Sequence, residues 1–107
     1  MAIAIMACRK LVGKCSGTGC FKAYNNSKAA FEIYKKDKPL LNSFFYCFGC
    51  KETKAKDENW RHKINQLKKN KVDTIHLSVC IKIECEMYEQ HEEMLKKEGF
   101  KVVRGTH

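Results

Sequence analysis

Cysteine has the most chemistry to offer in this chain: seven stand among its 107 residues, at positions 8, 15, 20, 47, 50, 80 and 85. Cys47-Phe48-Gly49-Cys50 sets two thiols three positions apart, a spacing at which both reach one ion at ~2.3 Å, with Gly49 letting the backbone turn. Cys15-x4-Cys20 and Cys80-x4-Cys85 are wider than a zinc knuckle, so ligands drawn from several loops fit better than a plain zinc ribbon. Thiolates select Zn²⁺, Cu(I) or an iron–sulfur cluster over hard cations. The same Cys47–Cys50 spacing also serves a thiol redox enzyme, a reductase or transferase, with Lys51 and Lys54 placed to attract an anionic substrate. Thioredoxin folds depend on a cis-proline facing such a pair, whereas Pro39, the one proline here, precedes the same segment.

Cys15-Ser16-Gly17-Thr18-Gly19-Cys20 is a second candidate, a glycine-bearing loop whose N–H groups could cradle a small anion at a helix start. A cysteine-dependent phosphatase or arsenate reductase places an arginine six positions after its nucleophile. Lys14 and Phe21 stand at those positions after Cys8 and Cys15, and lysine lacks the bidentate fork. The histidines divide by context. His76 alternates with apolar residues and is expected to be buried and hydrogen-bonded, roughly 13 Å along its strand from Cys80. His91 falls on an apolar helix face, His62 on a surface, and His107 at the chain end.

The elements that must position these groups follow from hydrophobic periodicity. The continuous apolar run Ala2–Cys8 suits a strand buried on both faces. A helical pattern follows from Cys20 to about Lys36, with Asn25-Asn26-Ser27 placed to break it. Leu40–Cys47 is the next strand; Asp57 is a plausible N-cap for a helix with Trp60, Ile64 and Leu67 on one face. Asp73–Val79 is the third strand, Glu86–Glu98 a helix closed by Gly99, and Phe100–Arg104 a fourth strand. Strand and helix alternate throughout, which predicts a single α/β domain over residues 1–107. It has about four parallel strands with helices on both faces, a three-layer flavodoxin-like or Rossmann-like arrangement.

That topology turns the scattered cysteines into a site. Cys8 and Cys47 end strands, Cys50 and Cys80 lie just beyond strands, and His107 follows the last one. Cys15, Cys20 and Cys85 fall in connections leaving the same carboxyl edge, where open α/β sheets bind ligands. All seven thiols are therefore expected on one rim.

Composition narrows the classes further. The chain is 44% hydrophobic, too apolar for a disordered tail, and no stretch approaches the ~20 apolar residues of a membrane span. The run Ala2–Cys8 is too short for a signal peptide and has Arg9 and Lys10 on the wrong side, so a reducing cytoplasm is expected. Lys+Arg 21 against Asp+Glu 12 leaves a net charge of +9. The lysines are spread over several helix faces rather than gathered on one stripe, and bound thiolates would offset part of the charge. Nucleic-acid binding is therefore a minor alternative.

Taken together, Cys8, the Cys15-Ser-Gly-Thr-Gly-Cys20 loop, Phe44-Phe-Tyr-Cys47-Phe-Gly-Cys50, Ile75-His-Leu-Ser-Val-Cys80 and the terminal Gly105-Thr-His107 resemble the CGGC-domain family. These are small cysteine-rich prokaryotic proteins described as metal-binding, without a settled activity. The resemblance covers essentially the whole chain. It implies Cys8, Cys15, Cys20, Cys47, Cys50, Cys80, His76 and His107 as site residues, with Cys85 matching a further family cysteine. Phe48 replaces the first glycine of the naming motif, which narrows the space beside the pair. The expected function is a metal-binding domain with Cys8, Cys47, Cys50 and Cys80 as core ligands, zinc placed first and an iron–sulfur cluster second.

Overall fold

The computed structural model describes residues 2–7, 15–46, 60–78 and 88–106. Four strands, β1 (Ala2–Ala7), β2 (Leu40–Tyr46), β3 (Val72–Leu77) and β4 (Lys101–Arg104), form one sheet in the order β2-β1-β3-β4. Every neighbouring pair is parallel. Between them lie α1 (Thr18–Asn25), a 3₁₀ segment (Ala29–Tyr34), α2 (Trp60–Lys69) and α3 (Tyr88–Lys97). The architecture is the α/β alternation expected from the sequence.

β1 is central and every residue in it is buried, which is why its sequence is an unbroken apolar run. Its residues divide by parity. Ala2, Ala4 and Met6 meet Ile64 and Leu67 of α2 and Leu95 of α3 on one face. Ile3 and Ile5 meet Cys20 and Ala23 of α1 and Phe31 and Tyr34 of the 3₁₀ segment on the other. Two irregularities keep β2 and β3 in phase with β1. Ile3 pairs with Leu41 but Ala4 with Ser43, leaving Asn42 as an extra residue; likewise Ala2 pairs with Val72 but Ile3 with Thr74, leaving out Asp73. Each bulge shifts parity by one, so Leu41 and Phe44 reach the same core, as do Val72 and Ile75.

Helix ends follow local chemistry. At the end of α1, Lys28 N–H donates to Ala23 O (2.9 Å) and Ser27 N–H to Tyr24 O (3.1 Å), with Ser27 at φ 51°. This Schellman closure splits the helical stretch at the expected Asn25-Asn26-Ser27, and the chain continues as a 3₁₀ turn instead of a helix to Lys36. The end of α3 is closed in the same way: Phe100 N–H donates to Leu95 O (3.1 Å) and Gly99 N–H to Lys96 O (3.0 Å), with Gly99 at φ 98°. Among the described residues, β3 begins one residue before the periodicity reading, at Val72, and β4 one residue after it, at Lys101, because hydrogen-bond pairing, not hydrophobicity, sets strand bounds. The proposed Asp57 cap lies outside the described residues.

Candidate metal centre at the carboxyl edge

The strand order fixes where a ligand crevice falls. The connection after β1 runs to β2 on one side, while the connection after β3 runs to β4 on the other. α1 covers one face and α3 the opposite one. The carboxyl ends of β1 and β3 therefore bound the topological switch point, the place where open parallel sheets leave room for a ligand. Register aligns the strand ends there: Ala7 pairs with Tyr46, Met6 with Leu77, and Leu77 with Arg104. Ser78 N–H continues the ladder to Met6 O (3.0 Å), and Gly105 N–H donates to Leu77 O (2.7 Å).

Of the nine residues proposed from sequence, Cys15, Cys20 and His76 are described. Cys8, Cys47, Cys50, Cys80, Cys85 and His107 lie outside the described residues. Cys20, on α1, is buried, and its Sγ lies 3.3 Å from Thr106 Oγ1, two residues beyond β4. His76, on β3, is fully buried on the α1 face. Its Nδ1 lies 3.0 Å from Gly105 O and its Nε2 2.7 Å from Tyr34 Oη. A carbonyl only accepts, so Nδ1 carries the proton and Nε2 accepts from the Tyr34 hydroxyl. Burial lowers the His76 pKa, opposed by the bond to Gly105. Burial, and then the charge of Asp73, raise that of Tyr34. Both shifts keep this pair neutral.

This arrangement brings Cys20 and His76 to the same short strap, Gly105-Thr106. Thr106 is fully buried and its carbonyl accepts from Ala30 N–H (3.3 Å). The residue before His107 is thus held by its side chain and its backbone. With both ring nitrogens engaged inside the protein, His76 supports the strap in this conformation.

Cys15 stands apart. It is exposed, and its Sγ accepts from Gly17 N–H at 3.4 Å. Gly17 adopts φ 82° as it opens α1 and lies against Phe21 and Phe44, whose rings stack at 5.3 Å. Ser16 and Thr18 hydroxyls meet at 2.6 Å on the exposed side of this loop. Among the described residues no group of three or more His, Cys, Asp or Glu side chains is arranged to hold a metal ion.

On the α3 face of the same edge, Arg104 makes a two-pronged contact with the buried Glu92, at 3.0 Å from Nε and 2.6 Å from Nη2. These hydrogen bonds hold the Glu92 carboxyl below its usual range despite burial. His91 is fully buried on α3 and His62 exposed on α2, as their periodicity indicates. Tyr34, Thr106 and Arg104 were not singled out from sequence. Tyr34 and Thr106 lie 42 and 86 residues from the groups they touch, and only pairing across the sheet reveals them.

A doubly wound α/β domain with a polar buried face leading to its carboxyl edge is the class of protein that fold and site define. The CGGC-domain model matches residues 2–107, and the chain belongs to that family. A segment is similar to the uncharacterized protein MJ0582 of Methanocaldococcus jannaschii, with 46% identity over 55 residues, 47% of this chain and 41% of that one. No solved structure matches the chain. No described helix is long and apolar enough to cross a membrane.

Proposed function

We propose that this protein is a metal-binding domain whose centre is built from cysteine thiolates at the carboxyl edge of the sheet. Cys8, Cys47, Cys50 and Cys80 are the core ligands, and Cys15, Cys20, Cys85 and His107 are further candidates. His76, assigned to the site from sequence, is read as a support for that edge. Zinc is the favoured ion and an iron–sulfur cluster the second choice, as expected for a sulfur-rich donor set in a reducing cytoplasm. Such a group would supply Lewis acidity if zinc, or electron transfer if a cluster.

One observation carries the reading: Ala7 pairs directly with Tyr46, and Met6 with Leu77, at the carboxyl edge of the sheet. Cys8 and Cys47 directly follow Ala7 and Tyr46 in the sequence, and Cys80 comes three positions after Leu77. Neighbouring strands lie ~4.8 Å apart, so Ala7 and Tyr46, which precede the two cysteines in sequence, finish side by side at one edge. Membership of the CGGC family is consistent with metal binding.

The test is elemental analysis of anaerobically purified protein, together with Cys47→Ser and Cys80→Ser variants. Loss of bound metal from both with an unchanged circular dichroism spectrum is expected. Full occupancy in both overturns the ligand set. A visible band near ~400 nm would identify a cluster, and a spectrum silent in the visible would favour zinc.

A thiol enzyme is the second reading, using the Cys47–Cys50 pair on a small anionic substrate. It is favoured by the exposed Cys15 sulfur and its Gly17 N–H donor beside the start of α1. A depressed thiol pKa and rapid alkylation without chelator would support it.

A further inference from the structure

A recess of about 220 Å³ lies between β2 and α2. Its floor is apolar: Leu67 and Val72 belong to the core, and Phe45 packs against it. The carboxamides of Asn42, Gln66 and Asn70, all exposed, stand around it with Ser43 and Lys63. An apolar floor with a few polar groups converging on it is the usual make-up of a small-ligand site. Two of the carboxamides are fixed in direction. Asn42 is the extra residue of the β2 bulge, and its Nδ2 donates across to Asn70 O (3.1 Å). Asn70 Nδ2 donates back to Gln66 O (2.7 Å) at the end of α2. A backbone carbonyl only accepts, so each bond commits the amide nitrogen to the protein and leaves the side-chain oxygen as an acceptor. Bulges often re-aim a side chain beside a functional site, and this one brings Asn42 to Asn70. Both acceptors stand at the amino half of the sheet, the opposite end from the carboxyl edge.

We propose that this recess binds the base of an adenine nucleoside, with its ring on Phe45, Leu67 and Val72 and its amino group on the carboxamide oxygens of Asn42 and Asn70. Acceptors held in a set direction call for a ligand that brings N–H donors. Lys63 in the lining and a net charge of +9 work against an ammonium group as that donor. A neutral amino group on a flat heteroaromatic ring meets both requirements, and the ring face suits the apolar floor. Carboxamides pair with adenine through two bonds, one to the amino group and one to the adjacent ring nitrogen, which gives Gln66 its part. The volume lies below the ~300–1,000 Å³ of a site for a drug-sized molecule, so one base fills it and the sugar stays outside. The site stands apart from the cysteines, and the inference does not depend on the metal-binding reading.

The test titrates the full chain, labelled with ¹⁵N, with adenosine and follows the amide resonances. Saturable shifts centred on Asn42, Gln66, Asn70 and Val72 are expected. Inosine carries a carbonyl oxygen where adenosine carries the amino group, and it is expected to bind roughly tenfold more weakly or worse. Asn42→Ala removes one oriented acceptor at an exposed position and is expected to weaken adenosine binding by roughly fivefold or more, leaving inosine unchanged. Should Asn42→Ala fail to fold, Gln66→Ala on the exposed side of α2 decides by the same comparison. The proposal is overturned by any of three results: no saturable shift up to about 10 mM adenosine, shifts centred outside the recess, or equal binding of adenosine and inosine. Wild-type adenosine affinity in a folded Asn42→Ala overturns it as well.

Discussion

Tyr34 and His76 meet inside the protein through a 2.7 Å hydrogen bond between the phenol and Nε2, 42 residues apart in sequence. Phe31 packs against the same imidazole, with ring centroids 4.5 Å apart and planes tilted by 33°. The pair joins the 3₁₀ segment to β3 and, through Nδ1, to the strap beyond β4. One imidazole thereby ties together three parts of the chain that leave or approach the carboxyl edge.

Tyr34→Phe removes the donor and leaves Nε2 as a buried acceptor. The expected loss of stability is about 1–3 kcal/mol, the cost of an unmet buried polar group. Urea denaturation of the metal-free protein measures it. A midpoint equal to that of the wild type would mean that water or another group serves Nε2 equally well.

Stability is expected to depend on pH through His76. Its folded-state pKa is lowered from 6.5 by burial, so the unfolded chain binds the proton more readily than the folded one. The stabilisation is fully present above about pH 6.5 and is lost as pH falls from there toward the folded pKa, with a limiting slope of about 1.4 kcal/mol per unit for one proton. Urea midpoints from pH 8 to 5 should show this decline, and His76→Gln should flatten it. An unchanged slope in His76→Gln would assign the acid sensitivity to another group.

Thiol labelling should separate the cysteines by environment. In the metal-loaded protein Cys47 and Cys50 are expected to alkylate slowly, and to become reactive once a chelator removes the metal. Buried Cys20 should remain slow in the folded protein in both states. Peptide-resolved mass spectrometry reads each site, and fast labelling of Cys47 before chelation would favour the thiol-enzyme reading.

Gly17→Ala should destabilise the start of α1. Gly17 sits at φ 82°, and an added Cβ would come within 3.4 Å of Phe44 and 3.5 Å of Phe21. The left-handed conformation alone costs an alanine roughly 1–2 kcal/mol. Urea denaturation should show a loss of that order, and an unchanged midpoint would mean that the loop relaxes to another conformation.

Much of the fold was legible because its signals are local. An apolar run from Ala2 marks a strand buried on both faces, Ile64 and Leu67 mark the inner side of α2, and Gly99 marks the end of α3. Two features were not. The bulges at Asn42 and Asp73 change which side chains face each core, and alternation alone does not reveal a skipped pairing. Nor did periodicity show that the stretch after Asn26 would tighten into a 3₁₀ turn.

Cysteine placement by itself pointed to thiol chemistry, and strand–helix alternation determined which sheet edge the described Cys20 approaches. Only the tertiary structure decided that Tyr34, His76, Gly105 and Thr106 form a bonded path that reaches Cys20. Local preference depends on neighbours a few positions away, whereas a hydrogen bond between a helix and a strap 86 residues distant exists only once parallel pairing has set the register of β1, β3 and β4.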